Sequence, residues 1–118
     1  MIRSLVWGLL SCTHRAPDPP PPDVDRAVIE VLTSLDEAVE RAALGDRDAE
    51  EAWVRSHDLF EEAIEPTLRA RWPAVDVART EYGFGLVHAA LQGGGDPVAT
   101  VDALAERLNQ QLRSAETP

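Results

Sequence analysis

The sequence predicts an all-α protein, four helices in an up-down-up-down antiparallel bundle, and three observations predict it. Apolar residues recur at three- and four-residue steps along four stretches of residues 23–116, the period of a helix with one buried stripe. No stretch alternates apolar and polar residues with the period of two that a half-buried strand shows. The connections, around Gly45, Trp72-Pro73 and Gly93 to Pro97, are short, which favours antiparallel neighbours. Aromatics are only 5% of the residues and hydrophobics 44%, so Ala, Leu and Val must build the core.

The first helix carries Val24, Val28, Val31, Leu32, Leu35, Val39 and Ala42 on its apolar side, with Asp23 as the expected N-cap and Gly45 ending it. The second starts near Asp48, where the DAEE run has the form of a capping box closed by Glu51. Its buried side is Trp53, Phe60, Ala63, Ile64 and Leu68. Pro66 lies inside this pattern; it lacks an N–H and its ring crowds the carbonyl four residues back, so a kink is expected, with helix resuming to about Arg71. Pro73 opens the third helix, whose expected buried side is Val75, Ala78, Tyr82, Leu86 and Ala89. Gly83 and Gly85 weaken that helix unless a neighbour packs close. Asp96-Pro97 supplies N-cap and first residue for the fourth, carrying Val98, Val101, Leu104, Ala105, Leu108 and Leu112.

Residues 1–11 read as an export signal: Arg3 gives the positive start and Leu5 to Leu10 the apolar run, far short of the ~20 residues a spanning helix needs. The end, Leu9-Leu10-Ser11-Cys12, resembles the bacterial lipoprotein box, which implies that Cys12 becomes the lipidated first residue of the mature protein. Residues 12–22 follow as a tether rich in proline, extended rather than helical. The expected setting is therefore a bacterial cell envelope, with a membrane-anchored domain on the periplasmic side. Cys12 is the only cysteine, so no internal disulfide or paired-cysteine metal motif exists.

The formal net charge is −10, from 21 acidic residues against 11 arginines. Such a chain repels nucleic-acid phosphates, and no basic face offsets this. Cations or an envelope protein are the partners an acidic surface suits. Catalysis finds no support. Ser56 and His57 are adjacent and cannot face each other on a helix, and Gly93 to Gly95 lack the Lys-Ser/Thr of a phosphate loop. A phosphoryl group on His57 would be repelled by Asp58, Glu61 and Glu62. A non-enzymatic binding protein is expected.

The run Phe60-Glu61-x-x-Ile64-Glu65-Pro66-x-Leu68-Arg69, followed by Glu81-x-x-Phe84, resembles the periplasmic helical domain of bacterial high-affinity iron permeases. It is similar, more loosely, to imelysin-like iron-uptake lipoproteins. Glu62-Ala63 replaces the first proline of the permease motif, and the imelysin HxxE is absent, since Phe60 stands three after His57. The resemblance implies an extracytoplasmic four-helix bundle linked to metal handling, of iron or copper.

The residues themselves offer five candidate metal ligands: His57, Glu61, Glu65, Glu81 and His88. Imidazole with carboxylate suits zinc, iron or copper. His57, Glu61 and Glu65 fall at i, i+4 and i+8 on one stripe, of which His57 borders the core while Glu61 and Glu65 drift toward solvent. Counting outward from Trp72-Pro73 sets Glu65 level with Glu81, and His57 level with His88 two turns further. The histidine pair, completed by Glu61 or water, is the favoured site.

Overall fold

The structure, a computed structural model, describes residues 22–116; the expected signal, the lipidated Cys12 and residues 12–21 of the tether lie outside the described residues, while Pro22, expected to end the tether, already begins the first helix and puts Asp23 inside it rather than at its cap. The chain is all-helical, with no strand among those residues. Helix α1 spans Pro22–Ala43. A second rod is built from α2, Asp48–Leu59, a π-helical turn over Phe60–Ile64, and α3, Glu65–Arg71. The third is α4, Ala74–Ala89, running on through a wide turn, Ala90–Gly94. The fourth is α5, Pro97–Glu116. No helix among the described residues is long and apolar enough to cross a membrane.

The helix ends follow local chemistry. At the end of α1, Gly45 takes a φ of 72°, where a side chain would be strained. Its N–H donates to the Ala42 carbonyl and that of Asp46 to Arg41, the paired bonds of a Schellman stop. The capping box expected at Asp48 does not form. Arg47 holds the cap position without a side-chain bond, and Asp46 instead accepts the Asp48 N–H at 2.9 Å. Asp96 caps α5 as expected, accepting from Val98 and Ala99.

Pro66 neither ends nor breaks its helix. The π-turn before it gives the Glu65 N–H the carbonyl of Phe60, five residues back, and α3 runs on to Arg71 as the spacing predicts. One residue more per turn rotates everything beyond it by about 100° relative to an unbroken α-helix. Glu65 is thereby carried into a buried position, where the plain helical count sends it toward solvent. Glu61 stays exposed.

The core is one cluster. Helix α1 supplies Val24, Val28, Val31 and Leu35; the second rod Phe60, Ile64 and Leu68; α4 Val77, Phe84 and Val87; α5 Val101, Leu104, Leu108 and Leu112. Phe60 and Phe84 meet with ring centroids 4.8 Å apart. In the second rod, Phe60, Ile64 and Leu68 are buried as predicted, with Trp53 and Ala63 packed on the cluster's edge. In α4 the predicted face is wrong: Val75, Ala78, Tyr82, Leu86 and Ala89 are all exposed, and Val77, Thr80, Phe84 and Val87 face inward. Both sides of this helix are apolar, so periodicity leaves its phase open. Burying Phe84, with no polar tip to satisfy, decides it over Tyr82.

The end of the molecule near Trp72 is fastened by polar groups. The Trp72 indole N–H donates to the Gln111 carbonyl at 3.1 Å. Buried Thr80 donates to Gln111 Oε1 at 2.8 Å, and the Gln111 amide donates to the Asp76 carbonyl at 3.3 Å.

Candidate metal centre between two helices

Four residues of the second rod, Glu50, Trp53, His57 and Glu61, follow at steps of three and four and so share one helical stripe. It faces a stripe of α4 carrying Glu81, Phe84 and His88. The Trp53 indole N–H donates to the Phe84 carbonyl at 3.0 Å, which fixes the ring across the seam. His57 stacks on it with ring centroids 5.2 Å apart and planes 5° from parallel. His88 stacks on it from the other helix at 4.3 Å. The edge of Phe84 also meets His57.

His57 is thereby held with Nε2 at 2.9 Å from Glu81 Oε1, while Nδ1 lies 3.9 Å from Glu61 Oε1. One nitrogen of His57 and one oxygen each of Glu61 and Glu81 lie within 4.8 Å of one another. Donor atoms around a tetrahedral zinc, at bond lengths of about 2.0–2.2 Å, are roughly 3.4 Å apart, so small side-chain rotations convert this triad into a ligand set. His57 and Glu81 are half-buried and Glu61 is exposed, which leaves an approach from solvent and room for a water ligand.

Glu81 also stands against Glu65. Burial comes first in pushing the Glu81 carboxyl above its ordinary value of 4.5, and Glu65 pushes it the same way, while the bond to His57 opposes both. Arg69 holds Glu65, donating from Nε to Oε2 at 2.7 Å. A cation beside Glu81 would relieve both the loss of hydration and the repulsion between the carboxylates.

The structure brings four of the five predicted ligands to one seam: His57, Glu61 and Glu81 as the triad, and Glu65 behind them. The histidine pair does not form. His88 bonds Glu50 instead, its Nε2 lying 2.8 Å and 3.0 Å from the two carboxylate oxygens, and each imidazole stacks on Trp53. The even count from Trp72-Pro73 holds for Glu65 and Glu81, which stand against each other, and fails for the histidines, because His57 turns along the seam to Glu81 and His88 to Glu50. Sequence reasoning missed Glu50 and the role of Trp53, although their spacing to His57 was a legible signal.

No protein-family model matches this chain, and no curated protein or solved structure matches it.

Proposed function

We propose that this protein is a lipid-anchored envelope protein that binds a transition-metal cation without catalysing a reaction, on an up-down-up-down antiparallel bundle. The observation that carries the metal reading is the contact of His57 with Glu81 at 2.9 Å, with Glu61 beside it. The bundle topology is supported by contacts in which numbering rises on one helix as it falls on the next. Glu50 meets His88 and His57 meets Glu81; Gly83 faces Leu104 and Thr80 meets Gln111. The resemblance to the iron-permease domain supports the same seam, because its motif positions Glu61, Glu65 and Glu81 converge there.

An imidazole and two carboxylates hold iron, copper or zinc, with water completing the shell. The ion competes with protons for the Glu81 carboxyl, whose hold on them is raised first by burial, so binding weakens in acid. Titrating the purified mature protein with Cu²⁺, Zn²⁺ and Fe²⁺ at pH 7 tests the reading. Binding of one of them tighter than about 10 µM, roughly −7 kcal/mol, supports it. Weaker binding of all three transfers the function to an envelope protein partner met by the acidic surface. The anchor has its own test. Mass spectrometry of the native N-terminus is expected to show Cys12 carrying acyl chains, and a mature form starting elsewhere without acyl mass contradicts it.

A further inference from the structure

On the other flank of α4 a furrow of about 460 Å³ runs between α4 and α5, within the size range of small-molecule sites. Tyr82 and Leu86 form one wall, 68% and 43% exposed, spaced one helical turn apart. Small residues, Gly83, Ala99 and Ala103, line the furrow together with buried Leu104. A Cβ on Gly83 would lie 3.1 Å from Leu104 Cδ1, so the two helices close the floor by near contact. A mainly apolar furrow with a few polar groups at its ends has the form of a small-molecule site.

Charge gives the furrow a direction. Arg79 and Arg107 line it, and the facing of Gly83 by Leu104 puts both toward the same end. Arg41, Arg55 and Arg69 are committed to carboxylates at 3.1 Å or less. Arg79 has only a looser pair, 3.6 Å from Asp76, and Arg107 forms no ion pair among the described residues. At the far end the Asp96 carboxylate is occupied by the α5 cap. In a chain of net charge −10, two weakly committed cations at one end of an apolar furrow complement a molecule with one negative head and an apolar tail.

We propose that the α4–α5 furrow binds a fatty acid, with the acyl chain over Gly83 and Ala103 and the carboxylate at Arg79 and Arg107. Arginine suits this role because its planar fork meets a carboxylate through paired N–H donors. The tail is held by burial of its methylenes, so shortening a bound chain by two carbons weakens it about tenfold. The site is independent of the metal seam, which uses the opposite flank of α4.

Dodecanoate, kept below its micelle concentration, is titrated into the full chain and followed by amide chemical shifts. Dodecanol and dodecyltrimethylammonium serve as uncharged and cationic counterparts. Saturable shifts are expected at Tyr82, Leu86 and Ala103, with dodecanol at least tenfold weaker and the cationic amphiphile weaker still. Arg79→Gln with Arg107→Gln brings dodecanoate down to the level of dodecanol, and Ala103→Phe fills the furrow and abolishes binding. These substitutions sit outside the core, so unchanged melting curves show that folding is intact. Absence of saturable shifts, shifts centred elsewhere, or equal binding of dodecanoate and dodecanol to the unmodified protein overturns the proposal. So does a dimer at working concentration that Leu86→Glu dissociates, because a second copy then covers the furrow.

Discussion

Glu81 carries the most chemistry of any single residue. It accepts from His57, stands against Glu65 and is held above the ordinary carboxylate range, first by burial. A raised folded-state value means that this group's contribution to stability is complete below its unfolded value and is lost as pH rises through the folded one. Glu81→Gln keeps a polar partner for His57 and removes that titration. Stability of the variant relative to the unmodified protein is therefore expected to improve as pH rises from about 4.5, levelling once Glu81 is fully ionised. Urea midpoints between pH 4 and 7 measure it. A flat difference, or one that falls with pH, contradicts the account. His57 and Glu81 were each readable as polar residues on helical stripes, but their pairing was not. It depends on which way each long side chain turns along the seam, His57 to Glu81 and His88 to Glu50, which a residue count does not contain.

Among the elements, α4 shows where sequence reasoning works and where it stops. Its existence, its start at Pro73 and its end at the glycines follow from local chemistry. Its phase does not, because Tyr82 and Leu86 form as apolar a stripe as Phe84 and Val87, and only packing against Phe60 separates them. The two interior glycines then differ for a reason visible only in three dimensions. A Cβ at Gly85 meets nothing within 4 Å, whereas one at Gly83 meets Leu104 at 3.1 Å. Gly85→Ala is expected to gain about 0.8–1.0 kcal/mol of helix preference, raising the melting temperature by about 4–8 °C for a domain of this size. Gly83→Ala falls short of that, since Leu104 is buried and must shift. Equal gains by thermal melting would contradict the close approach.

At the scale of the whole molecule, four helical rods bury one shared core and leave α4 with a different surface on each flank. One flank meets the second rod through His57, Glu81, Trp53 and His88; the other opens as the furrow toward α5. The all-helical class was legible because helical periodicity runs unbroken through the long stretches. The candidate ligands were legible as residue types, and their grouping became clear only when the π-turn and the Trp53 platform were seen. The central claim is that one histidine, not two, holds the cation. The most direct test repeats the metal titration with His57→Ala and with His88→Ala. The account predicts that His57→Ala weakens binding by tenfold or more, while His88→Ala, which removes the partner of Glu50 and one ring stacked on Trp53 but no ligand, leaves the affinity within about twofold. Equal losses in the two variants, or no loss in His57→Ala, would contradict it.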